Sequence, residues 1–205
     1  MTNTTAHTDV LHMRGAAELA ASAVAAAGRD RWSAATPCTD YDLRTLLDHL
    51  AWAAVLAQNA ATRTRLDKDW SRPGPPPFLE GLPEEEWPAA LQRELRAAAE
   101  AWAAPGTWDG DTVMGATPMP ASIVGPMMLA EFAVHGWDVA RTVGADLEVP
   151  DDLGGVVLTA VEGMAQMGRD GCWYGPEVAV PADAPAFDRA LGLAGRDPAW
   201  TSQTT

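Results

Sequence analysis

Apolar positions along this chain recur mostly three or four residues apart, the spacing of one helical face, and several segments carry the pattern between clear stop signals. The first, DVLHMRGAAELAASAVAAAG over residues 9–28, repeats Leu11, Leu19 and Val24 at helical spacing and stops at Gly28. In the following WSAATPCTDYDLR, Thr39 or Asp40 can cap a second helix that begins near Tyr41 and runs to about Leu66. That helix turns Leu43, Leu46, Leu47, Leu50 and Val55 inward, and His49 shares the face with Leu46 and Ala53. Four prolines between 73 and 77 exclude a helix from DKDWSRPGPPPFLEGLP, which reads as a loop. A third helix spans roughly 84–104, with acidic residues at its start and Pro105-Gly106 at its end. GTWDGDTVMGATPMP reads as a second loop, leading into a fourth helix from Ala121 to Val143 with Gly144 as terminator. Asp151 or Asp152 caps a fifth helix through about Met167. The tail holds a short strand-like EVAV, an apolar turn through Phe187, Leu191 and Leu193 to Gly195, and a TSQTT end expected to be disordered.

The pattern predicts an all-α fold, with a helix bundle over residues 1–168 and a short helical and extended appendage, 169–205, packed on the same domain. A length of 205 residues suits one well-buried domain with a small appendage. The formal charge of -14, with no Lys/Arg cluster, argues against nucleic acid and anionic membrane as partners. No apolar run approaches the ~20 residues of a membrane span, and MTNTTAHTDV lacks the basic flank and apolar core of a signal peptide. The expected location is cytoplasmic. Cys38 and Cys172 stand alone in their segments, so no disulfide is expected. Cys38 lies just before a helix, whose N-terminus can lower a thiol pKa, although a buried cysteine ordinarily behaves as a small hydrophobe.

Candidate chemistry centres on three residues. Glu131 and His135 in LAEFAVHGWDVA are four apart and project from one helix face, and His49 in DLRTLLDHLAW carries the same inward pattern. A single histidine on an apolar face is ordinarily a hydrogen-bonded core residue. A carboxylate flanked by Leu129, Ala130, Phe132 and Ala133, with no Lys or Arg within a turn, needs a positive partner to be buried, and a metal ion is the simplest one. Three protein ligands leave coordination positions open, as in catalytic zinc sites. Two histidines and one carboxylate also suit iron(II), with nickel a further alternative.

Three motifs, TPCTDYDLRTLLDHL, EFAVHGWDVARTVG and the closing ALGLAGRDPAW, resemble in order and separation the DinB-like metalloenzyme superfamily. Within it they are similar to the actinobacterial group related to mycothiol-dependent maleylpyruvate isomerase, and the likeness covers nearly the whole chain. It implies an up-down-down-up four-helix bundle and a metal, usually zinc in the isomerase, held by His49, Glu131 and His135. It also implies mycothiol as a low-molecular-weight thiol cofactor. Two departures are visible: Tyr41 stands where many relatives have Trp, and the isomerase's longer C-terminal domain has no counterpart, so no substrate is implied.

The function that follows is activation of a thiol for S-transfer to, or isomerisation of, a small electrophile. Metal-hydroxide hydrolysis and a non-catalytic metal- or ligand-binding bundle are the alternatives. The candidate catalytic residues are Asp138, Arg141 and His12. Asp138 can orient His135 or pair with Arg141, and His12 can act as a proton carrier if the first two helices adjoin. Arg141 and Arg196 are candidates for the carboxylate of a thiol cofactor or an acidic substrate. Asp48, adjacent to His49, is expected to be solvated, Trp137 to pack, and His7 to lie in a flexible N-terminus. Both a monomer and a homodimer fit the composition.

Overall fold

The computed structural model describes residues 2–65 and 78–202, with backbone alone over residues 2–7. Helix α1 (Thr2–Ala25) starts well before the expected residue 9, because no Gly or Pro interrupts the stretch before it and an established helix propagates cheaply. Helix α2 (Leu43–Thr62) starts later than expected, since Asp42 is the cap: its carboxylate accepts the Thr45 N–H at 2.8 Å. Thr39 and Asp40 instead belong to a turn held by the Thr36 hydroxyl, which bonds the carbonyls of Cys38 and Tyr41 at 2.8 Å. The helix ends short of Leu66, where Arg63 takes a left-handed φ of 57°.

A single 3-10 turn, Glu84–Glu86, precedes α3 (Trp87–Trp102), which carries Pro88 in its first turn. The segment read as a loop before the fourth helix contains an antiparallel hairpin, β1 (Asp111–Met114) and β2 (Thr117–Pro120), turning at Gly115 with φ 63°. The Thr112 hydroxyl bonds the Ala60 carbonyl and ties this hairpin to the end of α2. Helix α4 (Ala121–Val143) stops at Gly144, φ 72°, as the sequence predicts. In α5 (Asp151–Asp170) the two aspartates sit inside the first turn and Pro150 takes the cap position. Glu177–Val180 forms no ladder; its Val178 N–H bonds the Gly192 carbonyl in α6 (Ala186–Leu193) at 2.9 Å. Most of the proline-rich loop and the end of TSQTT lie outside the described residues, whereas Ser202 is fixed by Arg31.

Side-chain pairs give the helix directions. Arg14 meets Glu100 and Glu18 meets Arg96, so α1 and α3 run antiparallel. Arg44 lies over Trp87 and the Trp102 indole donates to Ala57, so α2 and α3 run parallel. Gly136 touches Ala20 and Arg31 reaches the Thr142 carbonyl, so α1 and α4 run parallel. The bundle is therefore up-down-down-up, with α1 and α2 each packed between α3 and α4. Its centre is filled by Met13, Ala17, Ala20, Val24, Leu46, Leu50, Leu91, Leu95, Trp102, Leu129 and Phe132, all 1% exposed or less. Gly136 is required here: a Cβ would lie 2.9 Å from the Ala20 Cα, so only glycine lets α1 approach this closely beside His135. Helix α5 packs on α4, and α6 on α5. Among the described residues no helix is long and apolar enough to cross a membrane.

Candidate metal centre

Helix α2 brings His49 to the face of α4 that carries Glu131 and His135. Leu46 and Ala53, one turn to either side of His49 and fully buried, fix its direction. His49 Nε2 lies 2.6 Å from Glu131 Oε1, and His135 Nε2 lies 3.5 Å from the same oxygen. One ligand atom from each of the three residues falls within 4.8 Å of the others. Ligand bonds of about 2.1 Å in a tetrahedral site put ligand atoms about 3.4 Å apart. The His135–Glu131 spacing already matches, and the His49–Glu131 spacing has to open by less than about 1 Å. The donor set fits a divalent ion of borderline softness, with two imidazoles and one carboxylate. Among the described residues, His49 Nδ1 is buried without a hydrogen-bond partner.

Charge at the site is finely balanced. Burial pushes the Glu131 carboxyl up, but the adjacent His135 and the hydrogen bond from His49 outweigh it and hold the group down at about 2. Asp138 is fully buried, and Arg196 and His135 overcome that burial to keep its carboxyl below the ordinary value. His135 Nδ1 lies 2.8 Å from Asp138 Oδ2, the arrangement by which a carboxylate fixes a histidine tautomer and leaves Nε2 free as a ligand. Arg196 Nη2 donates to that same oxygen at 3.2 Å. Asp138 thus pairs with Arg196 and not with Arg141, whose guanidinium donates twice to the Trp200 carbonyl, at 3.1 and 2.7 Å, and lies 5.8 Å from the Trp137 ring.

The other sequence candidates fall in different places. His12 is directed to the head of α5, its Nε2 3.5 Å from Asp152, and stands apart from the triad. Asp48 is not merely solvated: it accepts the N–H groups of Phe78 and Leu79 at 2.9 and 2.7 Å and anchors the chain there. The His7 side chain lies outside the described residues. Cys38 lies beside the centre, its sulfur within 4.8 Å of a nitrogen of His135 and an oxygen of Asp138. Burial pushes its thiol up to about 11, against the lowering expected from a helix N-terminus, because α2 starts only at Leu43 and Cys38 is not at its end.

Sequence reasoning missed the aromatic wall. The rings of Tyr41 and Trp52 lie 5.0 and 5.2 Å from that of His49, flanking it. Tyr174 instead packs against Gly168 of α5, where burial, with the Glu131 charge adding, pushes its phenol up to about 12. The spacing of Trp52, three residues after His49, was the available signal for one of the two flanking rings.

With this geometry fixed, the comparisons decide the family. The model of the mycothiol maleylpyruvate isomerase N-terminal domain matches residues 13–140, from the middle of α1 through most of α4, and includes all three candidate ligands. The chain belongs to that family. Among solved structures, a histidine-to-alanine variant of mycothiol-dependent maleylpyruvate isomerase is similar with TM-score 0.58 and 13% identity, over 78% of this chain and 69% of that one. A second structure of the same isomerase gives TM-score 0.52 and 15% identity over the same shares. At these identities the likeness establishes the shared fold, the DinB-like bundle expected from the motifs. No curated protein sequence matches the chain significantly.

Proposed function

We propose that this member of the mycothiol maleylpyruvate isomerase N-terminal domain family is a metal-dependent enzyme. It activates a low-molecular-weight thiol such as mycothiol for isomerisation of, or S-transfer to, a small electrophile. The observation that carries the reading is the convergence of His49, Glu131 and His135 within 4.8 Å, in a chain matched by that family's model. Zinc suits the set best, as a redox-silent ion of borderline softness. Such an ion, when bound, favours the thiolate over the thiol, whose free pKa of about 8.5 leaves it mostly protonated at neutral pH.

The chain's own residues supply the rest. Glu131 provides the negative ligand, and its low pKa keeps it ionised across the physiological range. Asp138 holds the Nδ1 proton of His135 in place, and Tyr41 and Trp52 flank His49 and shield it from water. A thiolate delivered here adds to an electron-poor double bond, permits rotation, and leaves again, which isomerises the substrate with no net consumption of thiol. Displacement of a leaving group by the same sulfur gives S-transfer. We place Arg141, at the Trp137 face, as the candidate contact for an acidic group of cofactor or substrate. The bundle of 1–168 and the extension 169–205 act as one unit in this reading, because Arg196 of the extension bonds Asp138 of the bundle.

Isothermal titration of zinc-loaded protein with mycothiol tests the proposal, with His49→Ala as control. Saturable binding that the control loses supports it. Absence of binding at confirmed metal occupancy would contradict thiol activation and favour metal-assisted hydrolysis.

A further inference from the structure

We infer that Arg196 is a positioning residue of the metal centre, acting on His135 through Asp138 and coupling the C-terminal segment to metal affinity. The inference rests on the metal-centre reading above. Arg196 lies far from the triad in sequence, beyond α6, and is delivered by a constrained turn. Gly195 adopts φ 81° and packs so closely on Gly175 that a Cβ would lie 2.8 Å from its Cα. The Arg196 N–H bonds the Leu191 carbonyl at 2.8 Å, and Nη1 bonds the Ala194 carbonyl at 2.7 Å, so backbone bonds hold both ends of the side chain.

The geometry distinguishes positioning from a simple ion pair. A guanidinium placed for maximal attraction would meet a carboxylate in a fork, with two nitrogens on two oxygens. Here only Asp138 Oδ2 is used, and it is the same oxygen that His135 Nδ1 meets at 2.8 Å. Among the described residues, Asp138 Oδ1 and Arg196 Nε are buried without a hydrogen-bond partner. Asp138 is 0%, Arg196 4% and His135 6% exposed, so no bulk water is available to replace a lost bond. The arrangement sacrifices the second ion-pair bond and keeps one oxygen fixed between the guanidinium and the imidazole. That fixed oxygen sets the rotation of the His135 ring and directs Nε2 toward Glu131. Among the described residues His49 Nδ1 has no such partner, so His135 is the anchored ligand of the pair.

Removal of an outer partner of a metal-bound histidine typically lowers metal affinity about 10–100-fold. The test measures zinc affinity by competition with a chromogenic chelator for wild type, Arg196→Met, Asp138→Asn and the double variant, with folding followed by circular dichroism. Positioning through Asp138 predicts a loss of about 10–100-fold in Arg196→Met and little further loss when Arg196→Met is added to Asp138→Asn. Arg196→Lys, which keeps the charge without the planar geometry, should recover only part of the loss, and it decides the matter if Arg196→Met does not fold. Wild-type affinity in a folded Arg196 variant, or fully additive losses in the double variant, would overturn the inference. A wild-type protein that binds no zinc would overturn the metal-centre reading instead.

Discussion

Gly136→Ala places a methyl group at the tightest helix–helix contact near the site. The added Cβ would stand 2.9 Å from the Ala20 Cα, 3.1 Å from its N and 3.2 Å from its Cβ, all rigid parts of α1. Carbon atoms pack at about 3.5–4.0 Å, so α1 and α4 have to part by roughly half an ångström or more. Overpacking of this kind costs about 1–3 kcal/mol, while replacing a mid-helix glycine by alanine returns about 1 kcal/mol of helix propensity. Gly163, exposed on α5 with nothing within 4 Å of where a Cβ would stand, isolates the propensity gain alone. Urea unfolding should therefore show Gly163→Ala more stable than wild type by up to about 1 kcal/mol. Gly136→Ala should fall below Gly163→Ala by about 1–3 kcal/mol. Because Gly136 follows His135, the helix displacement should also weaken metal binding in Gly136→Ala and leave it unchanged in Gly163→Ala. Equal stabilisation of both variants, with equal metal affinity, would refute the claim that close α1–α4 approach sets the position of His135.

Three further outcomes follow from the same structure. Glu131→Ala removes the carboxylate of the proposed ligand set and should lower zinc affinity by more than the ~100-fold upper value of an outer partner; full metal occupancy after dialysis against chelator would remove Glu131 from that set. With burial pushing Cys38 up to about 11 and Cys172 exposed, iodoacetamide at neutral pH should label Cys172 first by mass spectrometry, and preferential labelling of Cys38 would contradict the buried placement. The Glu18 carboxyl is held below its ordinary 4.5 chiefly by its hydrogen bond with Arg96, so its contribution is present above pH 4.5 and lost as the pH falls through the lower folded value. Glu18→Gln should accordingly cost about 0.2–1 kcal/mol at pH 7, as half-exposed pairs do, and nothing in strong acid; a pH-independent cost would contradict this origin.

Much of the bundle was legible because its signals are local. Helix α4 runs between Ala121 and Gly144 as read, since a left-handed glycine ends it and apolar spacing fills it. The start of α2 was misplaced because TDYD offers several capping side chains, and only the backbone path shows that Asp42 takes the role. The hairpin 111–120 went unread: its strands are four residues each, too short for alternation to register, and prolines occupy two of the positions in β2. The triad was readable from helical spacing together with an otherwise unpaired Glu131. The Asp138–Arg196 bond was not, because it joins residues 58 apart through a turn that requires glycine at position 195. The proton-carrier role of His12 was conditional on α1 adjoining α2; α1 packs instead on α3 and α4, and His12 meets Asp152 of α5.

The central claim is that His49, Glu131 and His135 hold a metal that activates a thiol, and cobalt-substituted protein titrated with mycothiol tests it most directly by absorption spectroscopy. The account predicts a new, intense near-ultraviolet sulfur-to-cobalt charge-transfer band that saturates with mycothiol and is absent in His49→Ala. A cobalt spectrum unchanged by mycothiol, with the ion shown to be bound at one per chain, would contradict it.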